Sequence, residues 1–203
     1  MGFYFNIYPL RHEIEVKKNV LLLRILLCYR DKIFLRNYID MNDSLKVISQ
    51  DQIQFLTEAA LSSPRKRKNL NLHVDLDDPI QRFFNVFTPG TYVRPHQHND
   101  SNRWELFVLL QGEAVVVLFD DDGRLINRVI LNDKRLAIEI PPKTWHSVTA
   151  GNKNAVLFEC KSGPYLPMTD KDFADWAPKE NHPRVADFLN WFKSGNINSY
   201  PPN

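Results

Sequence analysis

The chain has 203 residues, 43% of them apolar and 25% charged. That is enough to bury a sizeable core in one domain of ordinary globular composition. A formal net charge of +2, with no sustained basic face, argues against a nucleic-acid binder. Two cysteines, Cys28 and Cys160, are too few for a disulfide framework and fit a reducing, cytoplasmic setting better than an oxidising one.

Residues 1–43 read as an N-terminal extension, either lineage-specific or the product of an upstream start. Their one membrane-like run, Val20-Leu21-Leu22-Leu23-Arg24-Ile25-Leu26-Leu27-Cys28, is shorter than the ~20 residues of a transmembrane helix, and Arg24 interrupts it. No small-residue cleavage site follows, and the next residues are charged, so a signal peptide fits poorly. The expectation is no membrane span.

Ser49 with Gln52 three residues on forms a capping-box pattern, and Ile53, Leu56, Ala60 and Leu61 then fall on one helical stripe. The pattern predicts an amphipathic helix over about residues 51–62 that lids the fold and ends at Pro64. From 65 to 73 polar residues alternate: Arg65, Arg67, Asn69, Asn71 and His73 share one face, and Leu70, Leu72 and Val74 share the other. One reading is a solvated edge strand. The other places Asn69, Asn71 and His73 at a pocket mouth, with Arg65 and Arg67 holding an anionic group of a substrate.

Short strands are expected over residues 81–87, 104–110, 114–119, 125–131, 136–140, 145–149 and 155–161. Asp120-Asp121-Asp122-Gly123 forms a hairpin turn in which Gly123 supplies positive φ. Many strands with little helix between them indicate an all-β sandwich or barrel. Beyond Pro164 the chain carries Tyr165, Phe173 and Trp176 and is expected to wrap the exterior. A last helix starting near Pro183 should bury Val185, Phe188, Leu189 and Phe192 before Gly195 stops it, and residues 196–203 should fray. The domain reading is an extension over 1–43, a β domain over 44–180, and a helix with tail over 181–203.

His96 and His98 are two apart and project together from a strand. Glu105 opens Glu105-Leu106-Phe107-Val108-Leu109-Leu110, apolar on both faces, where an ionised carboxylate is costly without a partner. His146 follows the Pro141-Pro142 turn on a later strand. Three imidazoles and a carboxylate from at least three strands point to a divalent cation. Two positions stay open on an octahedral ion, which suits iron or manganese first, with zinc, cobalt or nickel as alternatives. Tyr92 and Arg94 share the parity of His96 and are expected to face a substrate. Arg82 is read either as a substrate ligand or as half of a structural ion pair. Glu159, mid-strand among apolar neighbours, is a candidate for proton transfer, as are Tyr92 and His73. Trp104 and Trp145 should face away from the metal.

Gly90, His96, His98, Glu105 and Gly112 resemble the first motif of the cupin superfamily, with a longer step between His98 and Glu105 that leaves Asp100 as an alternative carboxylate. Pro141 and His146 match its second motif, in which Lys143, Arg135 and Ala150 depart from the usual residues. More of the chain, from residue 44 to 180, resembles the WbuC family of cupin-fold metalloproteins. The matching stretches are Pro64-Arg65-Lys66-Arg67-Lys68-Asn69-Leu70-Asn71-Leu72-His73, Asp78-Pro79-Ile80-Gln81-Arg82, Pro89-Gly90-Thr91-Tyr92-Val93-Arg94-Pro95-His96, Trp104-Glu105-Leu106-Phe107 and Gly163-Pro164-Tyr165 through Trp176-Ala177-Pro178. The resemblance implies a double-stranded β-helix (jelly roll), a bound metal, a homodimer as in other cupins, and a role near nucleotide-sugar or lipopolysaccharide O-antigen synthesis.

Two function classes follow. One is a metal-dependent isomerase or epimerase of a sugar or nucleotide-sugar; the other is a non-catalytic, metal-dependent sugar-binding module. An Fe(II) dioxygenase fits the same ligands.

Overall fold

A computed structural model describes residues 45–165 and 172–202. The readings of residues 1–43, including the run at 20–28, lie outside the described residues, as does the segment 166–171 within the expected wrap. Among the described residues no helix is long and apolar enough to cross a membrane.

Helix α1 spans Gln50–Ser62. Its start is the expected reciprocal cap: the Gln52 amide N–H donates to Ser49 Oγ at 3.3 Å, and the Ser49 N–H donates to Gln52 Oε1 at 2.7 Å. Ile53, Leu56 and Ala60 are buried, but Leu61 is 49% exposed. The expected stripe was one residue too wide, because Leu61 lies roughly 100° around the helix from Ala60.

Eight strands follow, paired antiparallel throughout: β1 Arg67–Asn71, β2 Ile80–Phe87, β3 His96–Gln97, β4 Glu105–Phe119, β5 Leu125–Leu131, β6 Ala137–Ile140, β7 Trp145–Ser162 and β8 Asp172–Phe173. Strands β4 and β7 organise the rest, pairing with each other along their lengths. The first half of β4 also pairs with β6, and its second half with β5. The C-terminal half of β7 carries β2 and then β1, while its N-terminal end carries β3 and then β8. The result is a mostly β fold with two short flanking helices and an antiparallel order compatible with a cupin or jelly-roll topology.

The sequence reading split β4 and β7 into two strands each, at Gly112 and at Gly151-Asn152. The structure joins them, since the ladder absorbs those residues as irregularities between Leu109 and Gln111 and between Gly112 and Ala114. Gly112 sits at φ +84, and a Cβ there would lie 1.7 Å from the Asn154 carbonyl oxygen, so both backbone conformation and close approach demand glycine. The irregularity also switches parity. Phe107 and Leu109 point into one core before it, Ala114 and Val116 after it. The odd residues Val115, Val117 and Phe119 then join a second core with Tyr92, Phe188 and Phe192. Both faces of 114–119 are covered, and the run is apolar for that reason.

Other boundaries shift. The 65–73 strand contracts to β1, and Val74, expected on the buried face, is 76% exposed while His73 is buried. The turn at Gly123 has the expected positive φ of +85. Helix α2 spans Val185–Ser194, with Arg184 rather than Pro183 at the helix boundary. It buries Phe188, Trp191 and Phe192, and leaves Val185 and Leu189 partly covered. The described part of the tail is tied down: Leu125 N–H donates to Ser199 O at 2.9 Å, Asn198 N–H to Leu125 O at 2.7 Å, and Trp191 Nε1 to Ser199 Oγ at 2.7 Å. Backbone pairing at the start of β5 ties down residues that composition alone marks as loose.

Candidate metal centre

Three strands meet at one buried point. His96 in β3 lies directly across the ladder from His146 in β7, and His98 follows just beyond β3. Glu105 is the first residue of β4. One ligand atom from each of the four lies within 4.8 Å of all the others, and all four residues are buried. Asp100, the alternative carboxylate, is half exposed and faces Arg103 at 3.8 Å. The longer loop between His98 and Glu105 therefore leaves Glu105 as the ligand.

The ring orientations are set from behind. His96 Nδ1 lies 3.0 Å from Arg94 O, and His146 Nδ1 lies 2.8 Å from Thr144 O. A carbonyl only accepts, so each Nδ1 carries the proton and each Nε2 turns a lone pair to the cluster. His146 Nε2 stands 2.9 Å from Glu105 Oε2, and His98 Nε2 stands 2.9 Å from Glu105 Oε1. A lone pair facing a carboxylate at this range repels it unless a cation lies between them. Two ligands at a right angle with bonds of about 2.1 Å are about 3 Å apart, so the spacing suits one divalent ion. His96, His98, Glu105 and His146 form a divalent-metal site on these grounds.

Glu105 is also paired from the side. Burial alone would push its carboxyl up, but the Lys161 ammonium at 3.3 Å, together with the two rings facing its oxygens, outweighs that and holds it well below the usual carboxylate range. In chelator-treated protein the unfolded chain therefore takes up the proton first as pH falls. The stability contributed by Glu105 is complete above its unfolded value of ~4.3 and is lost as pH drops toward the folded one. Urea unfolding between pH 6 and pH 3 should show this decline, and Glu105→Gln should flatten it.

A cavity of about 350 Å³ shares Lys161 with the cluster, although none of the four ligands is on its wall. Of the residues expected to bind substrate, Arg65, Asn69, Asn71 and His73 line it, and so does Glu159. Glu159 Oε2 accepts a bond from Asn85 Nδ2 at 2.5 Å, and Oε1 is 4.0 Å from Lys161 Nζ. The structure does not bring the other expected residues to the cavity wall. Arg67 donates to Tyr92 O at 2.9 Å and pairs with Glu180 at 2.6 Å. Arg82 pairs with Asp78 at 3.3 Å, and Arg94 donates to Ala177 O at 3.0 Å and Ala174 O at 2.6 Å. Tyr92 donates its hydroxyl to Pro178 O at 3.0 Å and stacks on Phe192, and burial raises its phenol. Its expected parity with His96 fails across Pro95. Trp145 faces away from the four ligands, as expected, bonding Asp121 at 3.1 Å.

Sequence reasoning missed Lys161, which is 3% exposed and belongs both to the cavity wall and to the Glu105 pair. The available signal was Glu159-Cys160-Lys161, two charges of equal parity closing an apolar strand. It also missed Gln81, Phe83 and Tyr165 on the cavity wall.

A protein-family profile described as a domain of unknown function, DUF6016, matches residues 48–131. No curated protein matches the chain. Among solved structures, the capsular polysaccharide assembling protein CapF from Staphylococcus aureus is 20% identical with a TM-score of 0.44, over 52% of this chain and 31% of that one. The chain thus spans about a third of CapF's length. TT1209 from Thermus thermophilus is 16% identical with a TM-score of 0.44, over 58% and 97% of the two chains. The Cnp3 cupin domain of Schizosaccharomyces pombe is 13% identical with a TM-score of 0.38, over 48% and 64%. The strand order and the buried His, His, Glu, His tetrad together make this chain a cupin-like, metal-binding module.

Proposed function

We propose that the protein is a metal-dependent isomerase or epimerase acting on a sugar or nucleotide-sugar. The observation that carries this reading is Lys161, which joins the ligand Glu105 to a cavity lined by hydrogen-bonding side chains. The ligand set, which leaves positions open on an octahedral ion, supports iron or manganese first; two cysteines support a cytoplasmic setting, likeness to other cupins a homodimer, and the resemblance to the WbuC family a place in O-antigen or other surface-polysaccharide synthesis.

A bound divalent ion supplies Lewis-acid polarisation of a sugar oxygen. Asn69, Asn71 and Arg65 hold hydroxyls at the cavity rim. Glu159 takes a proton from the carbon beside a carbonyl and returns it, and Lys161 restrains the charge of the adjacent carboxylates. The anchoring of Glu159 by Asn85 at 2.5 Å favours a second reading, a binding module without turnover, in which this carboxylate is a fixed acceptor for a sugar hydroxyl.

Metal-loaded protein incubated in deuterated water with pooled sugars, sugar phosphates and nucleotide-sugars should introduce solvent deuterium into one of them. Glu159→Gln should abolish the exchange while keeping its metal. Absence of exchange with every pool would leave the binding module as the function.

A further inference from the structure

Two buried residues of the cavity wall carry polar atoms that nothing among the described residues satisfies. Gln81 is fully buried, and its Nε2 donates to Leu76 O at 3.1 Å and Asp78 O at 2.9 Å. Those two carbonyls fix the amide so that Oε1 is an acceptor, and Oε1 has no partner among the described residues. His73 is 5% exposed, and the Arg82 backbone N–H donates to its Nδ1 at 3.1 Å. Nδ1 also lies 3.1 Å from the Arg82 carbonyl oxygen, but the backbone N–H can only donate and it is aimed at Nδ1. Nδ1 is therefore the acceptor and Nε2 carries the proton, again with no partner among the described residues. Buried donors and acceptors are seldom left so, because each forfeits its hydration for nothing. Both atoms are themselves sealed from solvent, but their side chains belong to the cavity wall, and a hydroxylated ligand that reaches them meets one spare acceptor and one spare donor, which suits groups that donate and accept at once.

The cations of the cavity are, by contrast, already matched. Arg65 forks onto Glu180 at 2.8 and 3.0 Å. Lys161 faces Glu105 at 3.3 Å and Glu159 at 4.0 Å. A phosphate entering here would compete with Glu180 for Arg65 or with Glu105 for Lys161, and would meet the Glu159 carboxylate. The space of about 350 Å³, near the lower end of the ~300–1,000 Å³ of small-molecule sites, matches a ligand of monosaccharide size. The rings of Phe83 and Tyr165, each 5.8 Å from Lys161 Nζ, offer apolar surface to the C–H face of a sugar ring.

Resting on the reading of this cavity as the substrate site, we infer that its ligand is an uncharged, polyhydroxylated molecule of monosaccharide size, and not a phosphorylated or nucleotide-linked sugar. His73 and Gln81 are the residues that select it.

Isothermal titration of the full-length, manganese-loaded protein with free aldo- and ketohexoses and pentoses, the matching sugar phosphates, and UDP-linked sugars tests this. At least one free sugar should bind, and its phosphorylated and UDP-linked forms should bind at least about tenfold more weakly. Gln81→Leu and His73→Phe should each weaken the free sugar by about tenfold or more with metal content unchanged, and Asn71→Ala, on the exposed rim, should weaken it less. Equal or tighter binding of the phosphorylated or UDP-linked forms overturns the inference, as does failure of every free sugar to bind. Deuterium exchange confined to nucleotide-sugars would uphold the isomerase reading and overturn this one. Free-sugar binding without exchange would do the reverse.

Discussion

His146→Ala and His96→Ala should each emerge from purification almost devoid of divalent metal, where the unchanged protein carries close to one ion per chain. Each substitution removes a lone pair that Thr144 O or Arg94 O holds in place from behind. Loss of an outer-shell partner alone typically weakens a metal site by ~10–100-fold, so loss of the ligand itself should exceed about 100-fold. Elemental analysis checks it directly, with circular dichroism to confirm that the variants fold. Metal content unchanged in both variants would refute the centre altogether. The three ligands left in either variant still include a carboxylate held against Lys161. For that reason the expected outcome is severe weakening in dilute buffer and partial recovery at millimolar metal.

Lys161→Met should produce the largest change in stability. Its ammonium is 3% exposed and faces two carboxylates, one of them wholly enclosed. Removing one partner of a buried ion pair leaves an uncompensated charge and costs about 3–5 kcal/mol. Without metal, Glu105 is left with the two imidazoles alone, so the full loss should appear in urea unfolding of chelated protein. With saturating manganese, the ion takes over neutralisation of Glu105 and the loss should shrink. A cost below about 1 kcal/mol, or one independent of metal, would mean that Lys161 is not the counterion the geometry makes it.

The metal ligands were legible because their signal is local. His96 and His98 are two apart, and Glu105 is the lone charge in a run that is apolar on both faces, so each betrays itself within a few residues. Lys161 was not legible in the same way. Its meaning comes from the register that sets Glu105 opposite Lys161 in the β4–β7 ladder, a pairing between residues 56 positions apart in the chain. The same limit explains Arg67 and Arg94. Side chains of substrate-binding type proved to be tied to Glu180 and to backbone carbonyls of 174 and 177, partners that only the folded chain brings near. Gly112 misled for another reason: glycine marks both the end of a strand and the kink within one, and sequence alone does not separate the two. Alternation leaves Asn69, Asn71 and His73 divided between a solvated edge strand and a pocket mouth, and only the folded chain gathers them along one cavity.

Strand β3 is only His96–Gln97, and it sits between β7 and the equally short β8. Two such scraps of ladder contribute few backbone hydrogen bonds of their own, yet one of them bears a ligand. An ion shared by His96, Glu105 and His146 is therefore a staple as well as a chemical group. It fastens the weakest rim of the sheet to its two longest strands, and occupancy of the centre governs how firmly the segment leading into the cluster is held.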